Sequence, residues 1–261
     1  MNILVFDFGN TRIKFSVWGQ EAPVYHEAVN STDSDVISKI IDRYNVNQAI
    51  FSSLKTDDQR HLFSQIKKRL DGRAEVMPRC FSGYKIPPTY QGSLGVDRFA
   101  GYLAAKELCK GKNCLIVDAG SALTTDVIDA GGYFRGGNIS PGLTMRLKAL
   151  NQFTHGLPEV PLQGPIMAFG VNTDSAIRSG VVNGIIAEIA EATRKAAEIF
   201  SVTDIILTGG DMEYLRPQLE KEELAKAHFD PLLVERGINI FARINHSRPL
   251  SDDERLKITK S

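Results

Sequence analysis

The hydrophobic positions of this chain change period several times, and each change marks an element. Residues 3–6 are continuously apolar and run into Asp7-Phe8-Gly9-Asn10-Thr11, after which Ile13, Phe15 and Val17 alternate with Lys14 and Ser16. That pattern is strand, tight turn, strand, which makes a hairpin. Val36, Ile37, Ile40 and Ile41 share one side of a helix expected over 35–44, and Leu62, Ile66 and Leu70 share one side of a second over 57–70. Short strands are expected at 49–53 and 74–79. The stretch 80–93 contains Gly83, Pro87, Pro88 and Gly92 and reads as a loop. Phe99, Leu103, Ala104 and Leu108 form the inner face of a helix over 96–108.

The order then recurs. Residues 113–117 make a buried strand that again ends in a carboxylate and a glycine, Asp118-Ala119-Gly120. Strands at 123–128 and 133–139 flank the turn Asp129-Ala130-Gly131-Gly132. A helix is expected over 141–150 and a long one over 174–200. Ile177, Val181, Val182, Ile185, Ile186 and Ile189 give the long helix a stripe that looks too broad for one thin neighbour. A strand at 204–207 leads into Thr208-Gly209-Gly210-Asp211, followed by short helices at 211–220 and from 232 on, and a polar tail from Arg248. Each half therefore opens with strand–Asp–x–Gly–polar and a β-meander, and helices follow. In a Rossmann unit the glycine-rich turn would lead into a helix instead. The pattern predicts a duplicated α/β unit, with halves 1–112 and 113–261 meeting near Gly111-Lys112.

Composition narrows the function classes. A chain of 261 residues can bury one large core or two smaller ones. Lys plus Arg number 31 and so do Asp plus Glu, so no global basic field gathers nucleic acid or an anionic membrane. An anionic ligand must be held by a local site. No apolar run is long enough to span a bilayer, and the N-terminus, which lacks a basic region, reads as a buried strand rather than a signal peptide. The cysteines, Cys80, Cys109 and Cys114, are odd in number and lack metal-finger spacing, which points to the reducing cytoplasm. Cys109 and Cys114 flank a turn-like run where a local disulfide is conceivable but not expected.

Three segments carry candidate chemistry. In Asp7-Phe8-Gly9-Asn10-Thr11-Arg12-Ile13-Lys14, the glycine lets backbone approach a ligand and the amide and hydroxyl donate hydrogen bonds. Lys14 adds a point charge, and Asp7 can hold a hydrated magnesium ion, which needs one or two carboxylates plus substrate phosphates. The competing reading is an ordinary Asn/Gly hairpin turn. Asp118-Ala119-Gly120-Ser121-Ala122-Leu123-Thr124 has the same grammar, and two such turns are more telling than one. Thr208-Gly209-Gly210-Asp211 can sit against a flat nucleoside, or be a plain strand-to-helix turn.

In this order the three segments resemble the phosphate, second-phosphate and adenosine motifs of the actin, hexokinase and acetate-kinase superfamily. Gly95-Val96-Asp97-Arg98, the turn 118–124, Gly136-Gly137-Asn138-Ile139-Ser140-Pro141-Gly142 and Gly170-Val171-Asn172-Thr173 narrow the likeness. They resemble the signatures of type III pantothenate kinases, and the likeness runs from Asp7 to about Gly237. Ser121 stands where that family most often has Thr, which keeps the hydroxyl. The resemblance implies an actin-like (ribonuclease H-like) fold with two mixed sheets around a nucleotide cleft. It implies ATP-dependent phosphorylation of pantothenate with magnesium, and a homodimer. Asp97 matches the proton acceptor. Tyr90, Gly95, Val96, Asp97, Arg98 and Thr173 match substrate contacts, Arg98 being suited to pair with the pantothenate carboxylate. Asp7, Phe8, Gly9, Asn10, Thr11, Arg12, Ile13, Lys14 and Ser121 match ATP contacts. Asp118 matches the ligand of a monovalent cation, potassium or ammonium.

Simpler roles compete at two of these positions. Asp97 at a helix start is favourable to the helix dipole whether or not it is a base. Thr173-Asp174 can cap the long helix. Trp18 and the scattered histidines read as structural. Two other functions remain open at this stage: another actin-like small-molecule kinase, and an ATP-binding regulator without turnover. Whether ATP consumption requires pantothenate separates them.

Overall fold

The computed structural model describes residues 1–9, 12–20, 22–31, 33–220 and 227–247. Asn10 and Thr11 of the first turn, and the tail from 248, lie outside them. The chain divides into two compact units, Met1–Glu107 with the segment from 232 on, and Leu108–Pro231.

In the first unit, β1 (Asn2–Phe8) and β2 (Ile13–Trp18) form the expected hairpin, and Asp7 stands opposite Lys14. An edge strand, β3 (Pro23–Val29), pairs antiparallel with β2. It is mostly exposed and has no apolar alternation, so the hydrophobic pattern did not announce it. β4 (Val46–Phe51) and β5 (Ala74–Val76) continue the sheet in parallel, giving the order β3-β2-β1-β4-β5. The helices α1 (Ser34–Arg43) and α2 (Asp57–Arg69) are each started by a side-chain cap. Asp33 accepts from the N–H groups of Asp35 and Val36, while Thr56 and Gln59 form a reciprocal capping box. Their apolar sides join Leu4, Phe6, Phe15 and Phe51 in one core, where the Phe6 and Phe51 rings stack at 4.4 Å. Trp18 is structural, as expected: it is buried and its indole N–H donates to Ser16 Oγ at 2.8 Å.

The second unit repeats this plan with β6 (Cys114–Ala119), β7 (Ala122–Ile128), β8 (Phe134–Pro141), β9 (Asp204–Thr208) and β10 (His228–Phe229), ordered β10-β9-β6-β7-β8. β7 runs antiparallel to both β6 and β8, and β9 lies parallel to β6. The shared topology is the duplication that the sequence repeat predicts. Around the sheet lie α4 (Leu143–Phe153), α5 (Thr173–Phe200) and α6 (Met212–Leu219), while α3 (Val96–Leu108) belongs but for its last residue to the first unit. Cys109 and Cys114 are buried free thiols that hydrogen-bond each other.

Two expectations change. The stripe on α5 is used up inside its own unit: Ile177, Val181, Val182, Ile185, Ile186 and Ile189 are all buried in the core beneath the sheet. The segment from 232 is not a short helix of the second half. It is α7 (Leu233–Ser247), which returns to pack on β1, β2 and β4 of the first unit. The division at 112/113 follows the repeat in sequence, but the returning helix makes the first unit discontinuous.

Candidate functional site

In the first unit the site begins where β1 ends. Asp7 is half-buried between neighbours of both signs. Burial pushes its carboxyl above the usual carboxylate range, and the nearby Asp97 adds to this. Lys14, a hydrogen bond from Ser52 and Lys55 act the other way without cancelling it. Ser52, directly after β4, is held in place because its Oγ accepts the Phe8 N–H at 3.0 Å and its own N–H donates to the Phe6 carbonyl at 2.8 Å. Neither Ser52 nor Lys55 was anticipated. The signal available for them was their position just past the carboxyl end of a parallel strand, where open α/β sheets collect ligands.

Asp97 comes to this carboxylate from α3, where it sits exposed in the first turn. Its Oδ1 accepts the Arg98 N–H at 2.9 Å and lies against Gly95 so closely that a Cβ there would collide with it. The glycine of Gly95-Val96-Asp97-Arg98 thus makes room for the carboxylate. The packing of α3 fixes that first turn. Phe99 stacks on Phe81 at 3.7 Å and meets Phe241 of α7 edge-on at 6.1 Å. Gly237 of α7 touches the α3 backbone, where an added Cβ would lie 2.8 Å from Ala100 Cα. Because Phe81 is anchored, the irregular stretch after it delivers a short 3-10 turn, Pro88–Tyr90, beside α3. The Arg98 guanidinium stands 5.7 Å from the centre of the Tyr90 ring.

In the second unit the equivalent turn joins three segments. The Gly120 N–H donates to the Ala122 carbonyl at 3.0 Å, which closes the turn with Ser121 exposed at its tip. Gly209, at φ +100, lies on β6's last residues, and an added Cβ would fall 2.5 Å from Asp118 Oδ1. The Asp211 N–H donates to the Ala119 carbonyl at 2.9 Å. The Asp211 carboxyl accepts the Leu143 N–H at the start of α4, yet burial outweighs this bond and raises its pKa. Asp211 was read only as part of a turn; its role as the link between three segments depends on contacts distant in sequence.

The structure therefore brings together Asp7, Lys14 and Asp97, sets Tyr90 against Arg98, and separately gathers Asp118, Gly120-Ser121 and Gly209–Asp211. The Phe8 ring is buried in the core against Phe6 and Phe51, so only its backbone is left for a ligand, and Ile13 packs on the same core. Gly9 and Arg12 are exposed beside the turn. Thr173 is exposed as the first residue of α5 and does not cap it: Asn172 does, in a reciprocal box with Ser175. Among the described residues there is no group of three or more His, Cys, Asp or Glu side chains placed to hold a metal.

A family model for type III pantothenate kinase matches residues 3–195. The chain belongs to the type III pantothenate kinase family. A type III pantothenate kinase from Phocaeicola vulgatus is 33% identical over 241 residues, covering 90% of this chain and 96% of its own. One from Flavobacterium johnsoniae is 34% identical over 233 residues, covering 87% and 93%. Among solved structures, a Campylobacter jejuni protein assigned to the Baf family of transcriptional activators superposes with a TM-score of 0.57 at 23% identity, covering 94% of this chain and 99% of its own. The activator of 2-hydroxyisocaproyl-CoA dehydratase from Clostridium difficile, solved with bound ADPNP, gives 0.52 at 10% identity, covering 96% and 99%. At these identities the structural likeness speaks for the fold, which is the duplicated actin-like one. The pantothenate kinase match to 3–195 spans both candidate clusters up to Thr173, while Gly209–Asp211 and α7 lie beyond it.

Proposed function

We propose that the protein uses ATP to phosphorylate pantothenate to 4′-phosphopantothenate, the first step of coenzyme A biosynthesis, with Asp97 as the base. The observation that carries this reading is the meeting of Asp97 with Asp7 and Lys14 from separate elements, with the Arg98–Tyr90 pair beside it. Family membership supports the substrate. Asp97 is exposed, so a hydroxyl can reach its carboxylate, and it accepts the proton as the bond to phosphorus forms. Arg98 holds the pantothenate carboxylate, with Tyr90, Gly95, Val96 and Thr173 around the substrate. Residues 7–14 supply ATP contacts from the first turn and Ser121 from the second.

Asp7 suits magnesium: its carboxyl is disfavoured as an anion by burial and by Asp97, so a cation there is stabilising. Magnesium needs only one or two carboxylates from the protein, with phosphate oxygens and water completing its shell. Asp118 would hold potassium or ammonium. Such cations, when bound, neutralise charge on the polyphosphate.

The homodimer expected from the family was expected to meet through α5 or the loop before it, and the loop is the better candidate. The α5 stripe is internal, but Phe169 and Val171, in the loop before α5, are 89% and 80% exposed, and Phe153 is 86% exposed. Large apolar side chains displayed so fully suit a second copy of the chain. Among the described residues no helix is long and apolar enough to cross a membrane, and the balanced charge does not favour nucleic acid. We place the protein in the cytoplasm, where its thiols stay reduced. The deciding experiment is a coupled ADP-release assay with magnesium and potassium. ADP release that depends on pantothenate supports the kinase, whereas release without it, or none, refutes it.

A further inference from the structure

The segment Gly136–Gly142 stands out in the sequence, yet nothing above gives its end a task. In the structure Ser140-Pro141-Gly142 closes β8 and starts α4, and Gly142 is seated on the second turn. Its N–H donates to the Ser121 carbonyl at 3.2 Å, and an added Cβ would lie 2.6 Å from that same oxygen. The position of Ser121 is thus coupled to the position of the 141–142 backbone. Gly142 offers no side-chain cap to α4, and the Asp211 carboxyl takes the Leu143 N–H; the Ser140-Pro141 backbone before the helix needs its own support.

Arg146 and Glu188 do so. Arg146, one turn into α4, reaches back so that its Nε donates to the Pro141 carbonyl at 2.7 Å, while its Nη2 donates to Ser140 Oγ at 3.1 Å and to a Glu188 oxygen. Ser140 Oγ donates to the other Glu188 oxygen at 2.6 Å. Glu188 is on α5 between Ile185 and Ile189, both fully buried, so its backbone cannot drift without disturbing the core. Partial burial pushes the Glu188 carboxyl up, but the bonds from Arg146 and Ser140 outweigh it and hold the group below its ordinary range. Each bond in this set has a charged partner or joins the set to a backbone carbonyl, which makes it stronger and more directional than a surface ion pair.

We propose that Glu188 and Arg146 are positioning residues for the second phosphate turn: anchored on the α5 core, they fix the Pro141 carbonyl, hence Gly142, hence the Gly120–Ser121 turn that meets ATP. This rests on the reading of that turn as an ATP contact. Neither side chain needs to touch the nucleotide. Their effect falls on nucleotide affinity, because a turn displaced by a fraction of an ångström misaims its donors.

The test measures calorimetric binding of a non-hydrolysable ATP analogue with magnesium, and melting temperature, on the full chain. Glu188→Ala and Arg146→Ala are each expected to weaken binding by about tenfold or more. Glu188→Gln, which can still accept from Arg146, is expected to keep most of the affinity. The discriminating variant is the charge swap Arg146→Glu with Glu188→Arg. It restores an α4–α5 ion pair, but a glutamate at 146 cannot donate to the Pro141 carbonyl. Melting should recover while affinity stays low. Wild-type affinity in the single variants, or recovery of both properties in the swap, would reduce the pair to a helix staple and overturn the proposal. A wild type that binds the analogue but does not phosphorylate pantothenate sinks the substrate assignment alone, and the affinity series still decides this one. A wild type that does not bind the analogue overturns both.

Discussion

Replacing Asp97 with Asn separates the proposed role of its carboxylate as a base from its role as a charge at a helix start. Asp97 Oδ1 accepts the Arg98 N–H at 2.9 Å in the first turn of α3. An Asn side chain keeps an oxygen there, so the hydrogen bond survives and only the charge is lost. For an exposed side chain in a first turn, that charge contributes ~0.3–1 kcal/mol through the helix dipole. In a chain of this size the loss lowers melting by roughly 1–4 °C. Were that the whole effect and were it felt fully in the reaction, turnover would fall about fivefold at most. A general base contributes about a hundredfold or more, or at least ~2.7 kcal/mol in the barrier. The two magnitudes do not overlap. A third effect follows from the structure: Asp97 helps to raise the pKa of Asp7, so the variant should lower it, and Asp7 should stay ionised to lower pH. The assay is steady-state turnover with saturating pantothenate and ATP, with melting measured on the same preparation. The expected result is a loss of about a hundredfold or more in kcat, with ATP and pantothenate still binding and only a small change in melting. Near-normal kcat with slightly reduced melting would show that Asp97 is a helix-end charge and refute the base assignment.

Asp7→Asn should cost nucleotide-dependent activity yet raise the melting temperature of the ligand-free protein at neutral pH. The folded pKa of Asp7 is raised, so its stabilising contribution is present at low pH and lost as pH rises through that pKa. The advantage of the variant should therefore shrink on acidification, and a melting difference that grows at low pH would contradict this. Gly209→Ala places a Cβ at φ +100 against Asp118 and should destabilise by ~1–3 kcal/mol and weaken ATP binding, while normal melting would refute the close approach. If Asp118 holds potassium or ammonium, exchanging potassium for sodium should cut turnover sharply, and equal rates would remove that role. Sedimentation at micromolar concentration should find a dimer that Phe169→Asp weakens; a stable, active wild-type monomer would refute the dimer.

Much of the fold follows from local pattern, because an alternating strand or a helical stripe needs only its own residues to declare itself. β1 and β2, α1, α2 and α5 lie within a residue or two of where periodicity puts them. The two Asp–x–Gly turns were legible for the same reason: a strand that ends in a carboxylate and a glycine is a local event. Edge strand β3 was not legible, since it buries no continuous face and its partner β2 alone makes it a strand. The α5 stripe was visible, but its partner was not: a pattern reports how much apolar surface must be covered and says nothing about what covers it. The core of the same unit does.

Contacts distant in the chain were decided by tertiary structure alone. The sequence shows Asp7 and Asp97 as two separate acids. That one raises the pKa of the other depends on α3 being fixed by Phe81 and by the return of α7, whose Gly237 lets two helix backbones touch. Likewise Asp211, Gly142, Arg146 and Glu188 look like a turn, a helix start and two surface charges until packing joins them around the Ser121 turn. Periodicity is a property of neighbours along the chain, so it records which face of an element is apolar. The electrostatics of the site come from charges that are neighbours in space but not in sequence, and only the packing of those faces brings them together.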